Sequence, residues 1–462
     1  MAIRAHLDWA KNYVVEQVLR EALNYMDRNP EENFPKLLQV ARLLARQEGH
    51  KRQIQQVLEA YRQNPSIRAY VHRLFDLHPN VKQRLIFNWF VHAMLLGIPK
   101  QQQVAKETGV HIPNFFLLDP TSACNLRCQG CWAGEYEKHH SLDLELVDRL
   151  CREAKEVGIY WLVLSGGEPF CWPHLVEMAA RHPDMAFMVY TNGTLIDEKM
   201  ADQLLEVGNL SPAISLEGWR EATDARRGPG VFDKVMRAMD LMRERGLAFG
   251  ASLTITRHNV EEVTSEEFVD FLIQKGVLYV WSFHYIPIGR QPQPELMVTP
   301  EQRAYLVERV NYIRTHKPLM WADFWNDGQL TLGCIAGGRR YFHITASGDV
   351  EPCAFAHFTL DNIKEKSLME VLQSPLMKAY QERQPFCENL LRPCPIIDVP
   401  QALREIVAVT GARPTHPGAE TILEGPLAQY LDQHSARWAQ VADRLWEEIQ
   451  SKKRAEELTA SP

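Results

Sequence analysis

The pattern of apolar and polar positions changes texture three times along the chain. Up to about residue 112 it is helical: Leu37, Leu38, Ala41, Leu44 and Ala45 recur at helical spacing, as do Ile54, Val57, Leu58 and Tyr61. Pro35 is read as sitting in a first helical turn, where proline is tolerated. From Asn114, short β-rich runs at 115–118, 161–164, 186–190, 213–216, 249–255 and 278–285 alternate with amphipathic stretches at 142–157, 198–207, 232–245 and 262–275. Six strands joined by helical crossovers predict a parallel α/β sheet, with functional loops at the strand C-terminal ends. From about Met320 to Pro400 the alternation stops, and residues 341–353 predict a hairpin turning at Ser347-Gly348-Asp349. Beyond Glu420 the chain is helical again, with Leu427, Tyr430, Leu431, Trp438, Val441, Leu445 and Trp446 as an apolar set expected to pack on the body. The expected division is residues 1–112, 113–318, 319–400 and 401–462.

The longest suggestive uncharged apolar stretch, residues 85–98, would make a helix of about 21 Å, short of a hydrocarbon core of about 30 Å. The first residues have no uninterrupted apolar run of signal-peptide type, so a cytoplasmic, reducing setting is expected. All nine cysteines lie between Cys124 and Cys394, and in that setting clustered cysteines point to metal or catalysis before disulfides. The net charge of −7 excludes a uniformly basic nucleic-acid binder. Yet residues 36–84 hold ten Lys/Arg against three Asp/Glu. That segment is either a solvated helical face or a surface for something anionic.

The chemistry starts after the first strand, at Cys124-Asn-Leu-Arg-Cys128-Gln-Gly-Cys131-Trp132. Three thiols in eight residues can wrap one metal centre, and Gly130 allows a tight turn. A structural zinc or a fully ligated cluster wants four protein ligands; three leave one iron of a [4Fe–4S] cluster open. Zinc completed by a distant histidine, and coincidence, are the competing readings. Further on, Ser165-Gly166-Gly167-Glu168-Pro169 closes the second strand, Thr191-Asn192-Gly193-Thr194 the third and Ser215-Leu216-Glu217-Gly218 the fourth, with Asp224-Ala-Arg-Arg227-Gly228 after them. These motifs, in this order and over about 185 residues, closely resemble those of radical S-adenosylmethionine (SAM) enzymes. Thr223 and Glu217 depart from the His and Asp that many relatives carry, both in the substrate-facing part.

The resemblance implies a partial (β/α)6 radical SAM barrel with an N-terminal helical domain and a C-terminal cysteine-rich α+β extension. It implies a SAM-binding [4Fe–4S] cluster on Cys124, Cys128 and Cys131. Contacts to SAM would come from Gly166, Gly167, Glu168, Asn192, Ser215 and Arg227, with Trp132 near the adenine or simply packed in the core. Glu168 would hold the ammonium group and Arg227 the carboxylate. Cys334, with Gly348 and Cys353, resembles the opening of SPASM/Twitch extensions. Together with Cys387 and Cys394, these cysteines would hold one auxiliary [4Fe–4S] cluster, with zinc or a partly ligated cluster as alternatives. Cys151 reads as core and Cys171 as a small buried thiol near the site. The implied activity is reductive cleavage of SAM to a 5′-deoxyadenosyl radical that abstracts hydrogen from an unactivated C–H bond. A low-potential donor such as flavodoxin or ferredoxin would supply the electron. The substrate is expected to be a small molecule, a lipid or a peptide. The basic segment beside residues 85–98 favours a lipid and peripheral membrane contact. A non-catalytic Fe–S or zinc module is the alternative from another class.

Overall fold

The computed structural model describes residues 17–460, apart from 18–20, 23, 27 and 45–47. Seven parallel strands form its centre: β1 (Phe116–Leu118), β2 (Trp161–Leu164), β3 (Ala186–Thr191), β4 (Leu210–Leu216), β5 (Gly250–Ile255), β6 (Tyr279–His284) and β7 (Met320–Asp323). Helices cross over between them, among them Leu144–Glu156, Glu198–Val207, Val231–Glu244 and Glu266–Gln274. The six expected strands are present to within a few residues, and β7 is a seventh. It lies just past the expected boundary at 318 and pairs in parallel with β6.

The expected hairpin is β8 (His343–Ile344) and β9 (Asp349–Glu351), antiparallel, turning through Gly348 at φ +92°. It does not form a separate layer. β8 pairs in parallel with β1, and β10 (Asp361–Asn362) pairs with β9, so ten strands make one sheet ordered β10-β9-β8-β1-β2-β3-β4-β5-β6-β7. Alternation along each strand sends Phe116, Leu118, Leu162 and Leu164 under the helices. The opposite face shows Leu117, Val163 and Met188, paired in register, which floor the cavity described below.

N-terminal helices Pro30–Leu44, Glu48–Gln63 and Pro65–Phe75 precede the sheet. Leu58 and Tyr61 are buried as their spacing predicts, whereas Ala41 and Val57 face solvent; Ala45 lies outside the described residues. Pro35 lies inside the first of these helices rather than in its first turn. Residues 85–98 are largely π-helical, a wider turn than the 3.6-residue spacing assumes. Asn88 and His92 pin this segment to the entry of β3, donating to Pro183 O and pairing with Asp184 O at 2.8 Å each. Among the described residues no helix is long and apolar enough to cross a membrane. Part of the basic segment is spent on packing: Arg73 donates to the carbonyls of Pro318, Ile273 and Val277.

The tail helix Gly425–Ala460 packs on Pro300–His316. Trp438 is fully buried there, with the Arg303 guanidinium 4.4 Å from its ring centroid. Arg303 also forms a buried ion pair with Asp398.

Candidate active site

β1 ends at Leu118, and the chain enters the cysteine loop through Thr121, Ser122 and Ala123. The backbone of this loop lies directly on the Gly166-Gly167-Glu168 turn that ends β2. Gly167 N donates to Thr121 O (3.0 Å) and Glu168 N to Ala123 O (2.8 Å). A Cβ on Gly167 would sit 2.1 Å from Ala123 O, and Gly166 has φ +107°. Both glycines also line the cavity. Their missing Cβ atoms therefore admit the cysteine loop itself. Gly130 makes its expected turn at φ +60°, with the Tyr285 ring 2.7 Å from where a Cβ would stand.

Cys124, Cys128 and Cys131 line one cavity with Trp132, Gly166, Gly167, Glu168, Asn192, Ser215 and Arg227, so every expected core-site residue reaches it. Several of these side chains are already engaged. Glu168 is buried; Oε1 accepts from Thr191 Oγ1 (2.7 Å) and Phe170 N (3.1 Å), and Oε2 from Asn192 N (2.7 Å). Burial pushes its carboxyl pKa up even against these donors. A carboxylate has about four acceptor sites, so capacity for a ligand ammonium is left. Asn192 Nδ2 donates to Asn125 Oδ1 (2.8 Å), tying the end of β3 to the cysteine loop. Arg227 turns to Glu217, donating from Nε (2.8 Å) and Nη2 (2.6 Å) to the same oxygen. Expected as the partner of a ligand carboxylate, it is held here by a protein carboxylate.

Sequence reasoning missed Arg226. It donates to Glu217 Oε1 (2.6 Å), Thr254 Oγ1 (3.0 Å) and Gln129 O (3.1 Å), clamping the cysteine loop to β4 and β5. Glu217 Oε2 stays buried without a hydrogen-bond partner among the described residues, an acceptor that fits a ligand hydroxyl. A basic doublet in the last turn of a helix carries no signal in sequence that one arginine serves the loop.

Trp132 lies against the C-terminal segment, stacked on His357 with ring centroids 6.1 Å apart and 8° between planes. Behind it is a buried polar cluster that no sequence pattern announced. His343 pairs with Asp119 (3.0 Å) and Glu351 (2.7 Å), and Tyr136 donates to Glu351 (2.9 Å). Burial alone would lower the His343 pKa, but Asp119 and Glu351 outweigh it and hold it at about 10.

The second cysteine set is only partly gathered. Cys334, Cys353 and Cys394 line a cavity of about 250 Å³, whereas half-buried Cys387 is not among its lining residues. Burial pushes the Cys353 thiol up to about 11 and Cys394 up to about 12. Burial first, then Cys394 and Cys353, raise Cys334 as well. A bound cationic metal centre would relieve that stacking of thiol charge, so the donor set fits one. Trp281, Phe324 and Phe355 line both cavities and form the wall between them. Cys151 is buried in the core on the helix Leu144–Glu156, and Cys171 is half-buried beside Glu168.

Residues 118–272 match the radical SAM superfamily, and residues 334–395 match the SPASM iron-sulfur cluster-binding domain. Among relatives, Fe-coproporphyrin III synthase of Methanosarcina barkeri is 34% identical over 175 residues, covering 37% of this chain and 43% of that protein. Mycofactocin maturase MftC of Mycobacterium tuberculosis is 28% identical over 299 residues, covering 58% of this chain and 75% of that protein. The crystal structure of Streptococcus suis SuiB bound to S-adenosylmethionine has the same fold, with a TM-score of 0.51 at 20% identity, over 59% of this chain and 68% of that one. The chain thus spans less than half the length of the first relative and three quarters of the second. The two matched domains bring [4Fe–4S] clusters and SAM as cofactors. With three thiols over a glycine-packed turn and a second cysteine cavity behind one aromatic wall, residues 118–272 form a radical SAM domain and residues 334–395 a SPASM-type iron–sulfur domain.

Proposed function

We propose that this chain oxidises a C–H bond of a large, flat, conjugated substrate of porphyrin type. The aromatic cavity carries the reading: Phe115, Tyr190, Trp281, Phe283, Phe324 and Phe355 line it beside the core thiols. Such faces suit a ring system by stacking and burial. A relative named Fe-coproporphyrin III synthase supports the same substrate class. When bound, the core cluster and SAM supply one-electron reductive cleavage and a radical able to remove a hydrogen atom. Cys124, Cys128 and Cys131 would hold the cluster; Glu168 and Ser215 would orient SAM. The aromatic wall excludes water and keeps the substrate next to the auxiliary site. A low-potential donor such as flavodoxin or ferredoxin belongs to this reading.

A peptide substrate is the second reading, favoured by the relative named mycofactocin maturase, which matches over more of the chain. None of the relatives named above is named for a lipid. Contact with a membrane would fall to the exposed Trp89, Phe90, Met94 and Leu95. The test is anaerobic incubation with SAM, dithionite and either a carboxylated porphyrin or candidate peptides, following 5′-deoxyadenosine and the porphyrin Soret band. Porphyrin-stimulated 5′-deoxyadenosine with a saturable Soret shift is expected. Stimulation by peptide alone would replace the first reading with the second.

A further inference from the structure

Two phenols converge on the auxiliary thiols. Tyr341 Oη lies 2.9 Å from Cys353 Sγ. Tyr380 is wholly buried and lines the same cavity as Cys334, Cys353 and Cys394. Among the described residues its hydroxyl has no hydrogen-bond partner. Native interiors seldom leave such a donor unmet, and each exception calls for a partner.

The ring of Tyr380 is not free to find one elsewhere. Gly337, at φ +68°, packs so closely that a Cβ there would stand 2.3 Å from Tyr380 Cβ. Phe386 meets the ring edge-on at 5.8 Å, and Gln381 Nε2 fastens the same helix turn to Gly337 O at 2.9 Å. The hydroxyl therefore stays within electrostatic reach of the Cys353, Cys334 and Cys394 thiols.

We propose that Tyr380 donates its hydroxyl hydrogen to a sulfur of the auxiliary cluster, that Tyr341 donates to the Cys353 thiolate, and that this phenol pair raises the cluster's reduction potential. The inference rests on the auxiliary site holding a [4Fe–4S] cluster. Adding an electron increases negative charge on the sulfurs, so an O–H dipole aimed at them favours the reduced form. Hydrogen bonds to sulfur are among the protein's levers on cluster potential. Tyr380 is thus a positioning and tuning residue, with no contact to substrate required of it.

The test uses the full chain with Cys124, Cys128 and Cys131 changed to Ala, so that only the auxiliary cluster is read. Its potential is titrated by electron paramagnetic resonance in that background and with Tyr380→Phe or Tyr341→Phe added. Each phenylalanine is expected to lower the reduced-to-oxidised ratio at fixed potential about tenfold, which is about 59 mV for one electron. An unchanged potential in both variants, with the cluster signal intact, overturns the proposal and leaves the SAM reading untouched. Loss of a phenolate-to-iron absorption band in Tyr380→Phe would make Tyr380 an iron ligand and overturn the donor role. Should Tyr380→Phe fail to retain iron, the Tyr341→Phe potential decides. Absence of any cluster in the triple-alanine background overturns the auxiliary-cluster reading, and this proposal with it.

Discussion

Glu168 Oε2 accepts the backbone amide of Asn192 at 2.7 Å, and this contact joins the turn after β2 to the turn after β3. The same carboxylate takes the Thr191 hydroxyl and the Phe170 amide. Glu168→Ala leaves three buried donors unmet, each costing about 1–3 kcal/mol. We expect lowered urea stability as well as weaker SAM binding, whereas a ligand contact alone would alter only the second. Urea titration with and without SAM separates them.

Gly167→Ala should act on the cysteine loop before it acts on any ligand. A methyl 2.1 Å from Ala123 O forces the loop away, and overpacking of this kind typically costs about 1–3 kcal/mol. The expected outcome is loss of iron from the core site alone.

Iron analysis reads the two sites separately. The anaerobically reconstituted chain should hold about eight irons, four per cluster. Cys128→Ala should abolish 5′-deoxyadenosine formation, and the core triple-alanine variant should retain about half the iron. Cys387 offers a sharper check: because it does not line the auxiliary cavity, Cys387→Ala should keep more auxiliary iron than Cys353→Ala.

Stability should peak near pH 6.5, and two buried histidines give the sign of each limb. His343 is held at about 10, above its unfolded value of 6.5, so its contribution is full below pH 6.5 and is lost as pH rises to 10. Burial, then the charges of Arg303 and Arg437, lower His434 to about 4, so its contribution is full above pH 6.5 and is lost as pH falls to 4. Melting temperatures across pH 4–10 test this; His434→Phe should flatten only the acid limb.

Arg303→Ala removes the partner of fully buried Asp398, a change of about 3–5 kcal/mol. Asp398 Oδ2 also accepts Cys394 N at 3.0 Å, so auxiliary iron should become labile in the same variant. Denaturant titration and iron release to a chelator follow the two effects.

Strand positions were legible because each β-rich run was bounded by a helix-period stretch, and the core motifs because they close successive strands. β7 was not: the helix before it, Pro300–His316, has little one-sided apolar periodicity, so no crossover announced Met320-Trp-Ala-Asp as a strand. The π-helical turns of residues 85–98 escape a search at 3.6-residue spacing. The roles of Arg226, Tyr380 and the His343 cluster depend on partners tens to hundreds of positions away, such as Asp119 with His343. A single sequence does not encode those encounters in any local pattern. The composition of the cysteine loop was plain, yet its reliance on Gly167 for close backbone packing was visible only in three dimensions.

Because β8 pairs with β1, the auxiliary segment closes what would otherwise be an open border of the barrel strands. Cutting the chain before Cys334 would strip β1 of that neighbour and bare a row of amides and carbonyls beside the iron-binding loop. Unpaired borders of this sort recruit other chains. A truncated core is therefore expected to clump rather than to persist as a smaller working enzyme, so the two metal-binding halves have to be made, loaded and kept as one piece.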